Sequence, residues 1–485
     1  MNAPLASPLP FGIDASTGRP LDVRVPAHLS SLMLQQENQQ QATARSLDHA
    51  KIFGVPYDLD TDSLAEVGWG VIVAANVDAS AYLDALARLL KRRQAEAGAL
   101  YRVFAGADGY RSGESASTWL NRNGASLNLI NPADGMPYYL VIVGPPTEIP
   151  FEFQYSLDIV AAVGRLDFPT TDALRAYADS VVAFEEDGTK MTRRQIDLFA
   201  TCHDFDRATQ LFTEQVAQPF LAETQQQKSL GAKYDYTVKP YLHEQSTKAA
   251  LAAILSDRER PASILFTGSH GMAFPHTDAR QGLNQGALVC NDWPGYGNIS
   301  SEHWFAAQDV PAQANVHGLM HFFFACYSLG TPEFDNFPMQ TPAPRIAPAA
   351  MTARLPQTLM SLPQGGVLAS LGHIDRAWAS SFQSPVGRPQ AQGFRDVLAR
   401  LMAGQRIGHA TDQFNGQWGV VSTQLIELLN DKAYGKTVSD AALLSLRVAR
   451  DDCRNYVVLG DPAVKLRPEP PSQPPQARPP APGTA

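Results

Sequence analysis

Two short apolar runs, each followed by a reactive side chain, constrain this chain more than any other feature. Residues 264–267 lead to His270, and residues 318–325 lead to Cys326. Apolar runs of this length predict strands that are buried on both faces of a parallel sheet. Because the chemistry of open α/β sheets lies at the carboxyl ends of the strands, we expect both side chains at one sheet edge. A thiol with an imidazole partner indicates acyl transfer through a cysteine nucleophile.

Size, charge and cysteine content narrow the class of protein. A chain of 485 residues predicts two or three structural units, and 44% hydrophobic with 18% charged residues is typical of a soluble globular protein. The net charge of −9, without a dense Lys/Arg run, argues against a nucleic-acid or membrane surface. We also expect no transmembrane helix and no signal peptide. Four cysteines make no disulfide framework, so we predict a cytoplasmic protein with reduced thiols.

The chain is expected to divide into two folded units with two polar ends. Residues 1–45 read as an N-terminal arm with a short helix near 32–45, and residues 468–485 as a disordered Pro-rich tail. Between them, strands and helices alternate, and the alternation starts again near the middle. We therefore predict two tandem α/β units, residues 46–188 and 189–467, around a mostly parallel sheet wrapped by helices.

Hydrophobic periodicity predicts the individual elements. Strands are expected at 69–74, 138–143, 161–166, 195–200, 234–238, 264–267, 287–290, 318–325, 366–371 and 456–459. Helices are expected at 79–96, 171–185, 206–218, 246–255, 394–402, 413–429 and 440–450.

The residues around the predicted dyad fit the same chemistry. A thiolate is the nucleophilic form of cysteine, and an imidazole can take its proton and later protonate the leaving amine. Gly271 follows His270 and lets the backbone come close to a substrate, so that its N–H can point at a developing oxyanion. The N–H of Cys326 would be the second donor. From residue types alone, an inert core cysteine and a structural histidine remain the alternative.

Five segments resemble known peptidases. The His-Gly and Ala-Cys motifs at His270 and Cys326 resemble those of caspase-fold cysteine peptidases. Residues 140–150, 163–166 and 459–463 resemble, in order, three segments of the gingipain branch. The resemblance implies a three-layer, pseudo-duplicated caspase-like fold in which only the second unit carries the dyad. It also implies a cysteine endopeptidase acting on protein or peptide substrates, with His270 as general acid/base and Cys326 as nucleophile.

The resemblance further implies an acidic residue of the first unit that orients the histidine. Glu148 is the first candidate, and Glu152 and Asp158 are others. The chain departs from the gingipain pattern here, because Gly144-Pro145 stands where an acid usually follows the glycine.

Residues after the His and Cys strands are candidates for substrate binding. Asp278 and Asp292 follow the His strand, and an acid in the specificity pocket would favour Arg or Lys. Ordinary solvated loop carboxylates are the alternative. Gly372, His373 and Trp378 lie where related proteases border the substrate cleft, although Trp378 can equally be core.

Other chemistries find little support in the sequence. Ser269 lacks the first glycine of a nucleophile elbow. A set of four residues matches no closed zinc pattern: Cys290, His303, His317 and His321. Phosphate-binding loops are absent as well, so we expect no metal and no cofactor.

The sequence thus predicts a cytoplasmic cysteine endopeptidase, with a bacterial stress or defence effector as its role by analogy. A free intracellular protease is hazardous, so we expect control by an activating or inhibitory protein partner, a zymogen step or narrow recognition. The alternatives are a catalytically silent binding module and a thiol-dependent amidase or acyltransferase. An open groove with an unpaired strand edge beside Cys326 would favour peptides bound as an added strand, and a closed pocket would favour a small molecule.

Overall fold

The structure is a computed structural model that describes residues 8–22, 33, 55–127, 129–224, 226, 229–337, 342–384 and 388–471. Its strands are β1 Gly12–Asp14, β2 Arg19–Pro20, β3 Trp69–Ile72, β4 Tyr101–Phe104, β5 Tyr139–Val143, β6 Ala162–Leu166, β7 Arg193–Ala200, β8 Thr237–Leu242, β9 Ala262–Gly268, β10 Gly271–Ala273, β11 Leu288–Val289, β12 Trp304–Phe305, β13 Met320–Phe324, β14 Gly330–Thr331, β15 Met351–Thr352, β16 Ala369–His373 and β17 Tyr456–Gly460.

The helices of the same residues are α1 Leu64–Val67, α2 Ser80–Ala85, α3 Ala87–Ala97, α4 Ala116–Arg122, α5 Phe151–Leu157, α6 Thr171–Glu186, α7 Arg207–Phe212, α8 Gln218–Thr224, α9 Leu230–Tyr234, α10 Lys248–Leu255, α11 Gln281–Asn284, α12 Arg354–Met360, α13 Gln392–Met402, α14 Ile407–Ala410, α15 Asp412–Ala433 and α16 Asp440–Arg454. A π-helical turn, Thr213–Ala217, joins α7 to α8.

A ten-stranded sheet forms the centre of the molecule, in the order β4-β3-β5-β6-β17-β16-β13-β9-β7-β8. The strands from β4 to β17 are parallel to one another, and so are those from β16 to β8. The two sets meet at β16 and β17, which pair antiparallel. Strands β5, β6, β9, β13, β16 and β17 are buried throughout, because helices and loops cover both faces. The predicted mostly parallel α/β sheet is confirmed, and the division into two units stays a prediction.

Most predicted strands are present, and the differences have local causes. The expected helix at 79–96 is split into α2 and α3 at Leu86. The expected strand at 234–238 is displaced, since α9 occupies residues up to Tyr234 and β8 begins at Thr237. Strand β4 escaped prediction because its four residues lie at the sheet edge and are mostly half-exposed, without an apolar run.

The Gly-Asp-Pro segment at the end of β17 ties the two sets of strands together. The carboxylate of Asp461 accepts hydrogen bonds from the Trp69 indole (2.9 Å) and the Arg93 guanidinium (2.6 Å). The Asp461 N–H donates to the hydroxyl of Tyr177 at 2.7 Å. All four side chains are buried, so this carboxylate anchors the C-terminal strand to the first half of the chain.

The other segments that resemble gingipains meet at the same place. A side chain at Gly164 would collide with Gly460, whose carbonyl oxygen lies 2.2 Å from the ideal Cβ position. The buried guanidinium of Arg165 donates to the carbonyls of Gly144 (2.9 Å) and Ile149 (2.7 Å). Segments far apart in the chain therefore support one another through close backbone contact.

Part of the predicted N-terminal arm is folded into a second, five-stranded sheet of order β12-β11-β10-β1-β2. In this sheet β1 runs parallel to β10, which begins directly after His270. The predicted helix at 32–45 lies outside the described residues apart from Met33, which is helical and buried. Of the predicted tail, residues 472–485 lie outside them too, and Pro468 forms a bridge with Thr192. No helix in the described ranges combines the length and apolar character that crossing a membrane requires.

Candidate active site

His270 and Cys326 lie at the same edge of the large sheet. Phe324, the last residue of β13, pairs in register with Gly268, the last residue of β9. Because His270 and Cys326 each follow two residues later, the two parallel strands bring them together, and both are buried. The apolar runs that predicted the strands therefore also position the reactive groups.

Gly271 is required by close packing. An ideal Cβ at this position would lie 1.9 Å from the carbonyl oxygen of Cys326. Only glycine therefore lets β10 pass directly beside the cysteine.

A carboxylate holds the imidazole, and it belongs to Asp206 rather than to the expected Glu148. His270 Nε2 lies 2.8 Å from Asp206 Oδ2. Glu148 instead accepts a hydrogen bond from the hydroxyl of Tyr82, and burial raises its pKa. We therefore correct the assignment of the orienting acid. Asp206 follows β7, the neighbour of β9 in the sheet, so sheet order rather than the first unit brings it to the histidine.

Asp206 is itself held in place by several donors. It is the N-cap of α7, where its Oδ2 accepts from the backbone N–H of Thr209 at 2.9 Å. The hydroxyl of Tyr296 donates to its Oδ1 at 2.8 Å. Burial works against ionisation of this carboxyl, but the charge and hydrogen bond of His270 and the Thr209 donors hold its pKa below the ordinary value. The sequence had offered a signal, since Asp206 begins a predicted helix just after a strand.

One ring nitrogen of His270 is available for proton transfer. Nδ1 of His270 is buried and has no hydrogen-bond partner in the described part of the chain. With Nε2 directed at Asp206, Nδ1 is the nitrogen left to exchange a proton.

Cys326 is shielded from solvent. Its Sγ accepts a hydrogen bond from the Ala377 N–H at 3.3 Å. Burial raises the pKa of this thiol, and the Ala377 hydrogen bond and the charge of Arg376 oppose the rise only in part. A buried thiol with a raised pKa is a poor nucleophile, so the segment that buries it controls its reactivity.

The cover is the chain's own N-terminal segment, residues 8–22. The carbonyl oxygen of Phe11 accepts hydrogen bonds from the N–H groups of Gly271 and Cys326, both at 2.9 Å. These are the two donors that were expected to form an oxyanion hole. The next residue, Gly12, lies against the thiol, because an ideal Cβ there would be 2.9 Å from Cys326 Sγ.

The N-terminal segment pairs with the cleft as an added strand. The N–H of Phe11 donates to the Ala377 carbonyl at 2.9 Å, and the N–H of Ala379 donates to the Leu9 carbonyl at 3.0 Å. Pro10 forms an antiparallel bridge with Trp378. Backbone pairing of this kind is a general mode of peptide recognition.

Aromatic side chains surround Phe11, which is fully buried. Its ring centroid lies 4.7 Å from that of Phe324, 5.7 Å from Phe382 and 6.2 Å from Phe212, each in an edge-to-face arrangement. The ring of His270 lies 5.7 Å away. Further along, a cavity of about 580 Å³ opens beside Pro8 and Leu9, with lining residues that include Trp378, Ser380, Gln413 and Tyr456.

The two acids expected in the specificity pocket are engaged elsewhere. Asp278 pairs with Arg280 at 2.6 Å, and this hydrogen bond holds its pKa at about 2. Asp292 accepts a hydrogen bond from the Lys248 N–H at the start of α10. These contacts fit the alternative, ordinary loop carboxylates, and give no support to a preference for Arg or Lys.

The expected cleft walls have mixed outcomes. Gly372 is buried inside β16, and His373 is buried with its Nε2 3.1 Å from Asp452, so both belong to the core. Trp378 contributes backbone to the cleft through its bridge with Pro10, whereas its side chain packs in the core beside Phe337.

The described residues hold no group of three or more His, Cys, Asp and Glu side chains that suits a metal ion. The three histidines of the set that matches no zinc pattern make hydrogen bonds within the fold: His303 accepts from the Ser300 N–H, His317 donates to the Ser180 carbonyl, and His321 pairs with the Thr267 hydroxyl.

Comparison with known proteins gives a family match and similar solved structures. The model of peptidase family C25 matches residues 71–467. No curated protein matches the chain. A solved structure described as "Structure of Protease" is similar at 13% identity and a TM-score of 0.49, covering 84% of this chain and 80% of its own. The Saccharomyces cerevisiae separase–securin complex is similar at 9% identity and a TM-score of 0.30, covering 67% of this chain and 16% of its own.

Proposed function

We propose that this chain, which belongs to peptidase family C25 and is therefore a cysteine peptidase, cuts peptide bonds in proteins through the thiol of Cys326. His270 is the general acid/base in this proposal. Asp206 orients the imidazole and stabilises its protonated form.

The reaction proceeds in two steps. The sulfur of Cys326 attacks the substrate carbonyl carbon while Nδ1 of His270 takes the thiol proton. The oxyanion accepts hydrogen bonds from the N–H groups of Gly271 and Cys326. The C–N bond then breaks, the amine leaves with the proton from His270, and a thioester remains. Water hydrolyses the thioester, giving the acid product and restoring the thiol.

One observation carries this proposal: the carbonyl of Phe11 lies between the two proposed oxyanion donors, directly beside the thiol. A peptide carbonyl thus already occupies the position that a scissile bond needs. The strand pairing at Ala377 and Ala379 favours an extended peptide over a small amide as the substrate.

We also propose that the peptidase is a regulated bacterial effector of stress or defence, working in the cytoplasm. The four cysteines are unpaired, which suits a reducing compartment. The N-terminal segment in the cleft supports regulation, because it must leave before a substrate can enter. An activating protein partner that draws this segment away is the expected control.

The test is cleavage of a denatured protein and a diverse peptide library, mapped by mass spectrometry. The wild-type chain is compared with Cys326→Ala, His270→Ala and the matched control Cys290→Ala, which removes another buried thiol. We expect cleavage by the wild type and Cys290→Ala only. Undiminished cleavage by Cys326→Ala would contradict the proposal. So would a complete lack of cleavage by both the wild type and Gly12→Val, a variant in which the N-terminal segment cannot seat against the thiol, combined with alkylation of Cys326 in Gly12→Val no faster than that of Cys290.

A further inference from the structure

We propose that the cleft selects a bulky aromatic residue on the acyl side of the cleaved bond, and that Phe11 shows this selection from within the chain. The inference rests on the proposed function and adds its substrate class. It replaces the basic residue that the sequence had suggested.

The position of Phe11 identifies its side-chain pocket as the specificity pocket. Its carbonyl carbon is the one presented to the thiol, since its oxygen is held by Gly271 and Cys326. The side chain on that residue therefore fills the subsite that reads the acyl-side residue of a substrate. Three phenylalanine rings, Phe212, Phe324 and Phe382, line this subsite.

The chemistry of the pocket favours an aromatic side chain. Edge-to-face contacts with three rings stabilise a flat apolar side chain of the size of phenylalanine. A lysine or arginine would leave water without pairing with Asp278 or Asp292, since both are bound elsewhere, and Asp206 is already engaged by His270. The pocket therefore discriminates by shape and by the cost of desolvating charge.

Gly12, the residue on the amine side of the bond, adds a second requirement. Gly12 lies against Cys326 Sγ and Leu21 Cδ1, at 2.9 and 2.7 Å from an ideal Cβ. With the N-terminal segment in place, only glycine fits there. Replacing it should expel the segment without touching the aromatic pocket.

The experiment uses the full chain with the N-terminal segment weakened. Phe11→Ala removes the side chain that holds the segment, and Phe334→Ala, an exposed phenylalanine, is the matched control. The substrates are the peptide Leu-Pro-Phe-Gly-Ile, which copies residues 9–13, and versions with Arg, Lys or Leu in place of Phe. Intact mass is recorded before each assay, because self-cleavage at Phe11–Gly12 would supply an open enzyme and would itself support the proposal.

We expect Phe11→Ala to cut the Phe peptide at least about tenfold faster, in kcat/KM, than the wild type or Phe334→Ala, because a larger fraction of the molecules is open. We also expect the Phe peptide to be cut faster than the Leu peptide, and at least about tenfold faster than the Arg and Lys peptides. Should Phe11→Ala fail to fold, Gly12→Val serves in its place.

Two results would overturn the proposal. Cys326-dependent cleavage that is as fast on the Arg, Lys or Leu peptide would remove the aromatic selection but leave the peptidase assignment standing. No cleavage of any peptide by either opened variant would overturn the selection as well. In that case, alkylation of Cys326 no faster than that of Cys290 would overturn the assignment too.

Discussion

At the scale of single residues, Asp206 both caps helix α7 and holds the imidazole of His270, and one substitution separates these two roles. Asparagine caps a helix as well as aspartate does, so Asp206→Asn should keep α7 intact. It removes the charge that faces His270 Nε2. We expect kcat to fall by about 10²- to 10⁴-fold with little loss of stability.

The matched control for this prediction is Glu148→Gln. This residue contacts Tyr82 and not the imidazole, so activity should stay near the wild-type value. A greater loss of peptidase activity in Glu148→Gln than in Asp206→Asn would return the orienting role to the carboxylate expected from sequence.

His203 makes the stability of the site depend on pH. Burial, and then the charge of His270, lower its pKa from 6.5 to about 4. Below pH 6.5 the unfolded chain therefore binds the proton more readily than the folded one. The contribution of His203 to the free energy of unfolding is therefore constant above pH 6.5. It decreases as the pH falls from 6.5 towards 4, by about 3 kcal/mol in total.

The variant His203→Phe tests this pH dependence, since its ring can keep the contacts with Phe205 and Trp293. Denaturant unfolding at pH 7 and pH 4.5 should show a smaller decrease in the variant than in the wild type. Equal decreases would mean that another group dominates.

At the scale of elements, β1 and the residues just before it close the cleft by backbone pairing. Gly12→Val places a side chain where Sγ and Leu21 already lie, so the segment should leave the thiol. We expect iodoacetamide to modify Cys326 at least about tenfold faster in Gly12→Val than in the wild type, because exposure and a lower pKa both favour the thiolate.

Thr17→Val, in the exposed turn between β1 and β2, is the control for this experiment. It should leave the alkylation rate unchanged. An unchanged rate in Gly12→Val would contradict the role given to β1.

Elements differ in how well the sequence predicts them. Strands β9 and β13 follow from their apolar runs, and with them the meeting of His270 and Cys326. Strand β1 has only three residues and no hydrophobic periodicity. Its pairing with β10 depends on the long-range contact at Gly271. The pairing of Asp206 with His270 likewise depends on strand order, which a single sequence does not encode locally.

At the scale of the whole molecule, one buried carboxylate joins the halves of the sheet. Asp461→Ala would leave the Arg93 guanidinium without one of its carboxylates and the Trp69 indole without its acceptor. We expect the free energy of unfolding to fall by about 3–5 kcal/mol. Asp278→Ala, which breaks a surface pair with Arg280, should change stability little and leave activity intact. Denaturant titration of both variants checks the contrast, and similar losses would argue against a joining role for Asp461.

The central claim is that Cys326 forms the acyl-enzyme, and trapping that thioester tests it most directly. The Phe11→Ala chain is mixed with excess Leu-Pro-Phe-Gly-Ile, quenched in acid within milliseconds to seconds, and peptide-mapped by mass spectrometry. The account predicts the mass of the Leu-Pro-Phe acyl group on the peptide that contains Cys326, and none in Phe11→Ala/Cys326→Ala. Turnover by the doubly substituted chain, or an acyl group on any other residue, would contradict it.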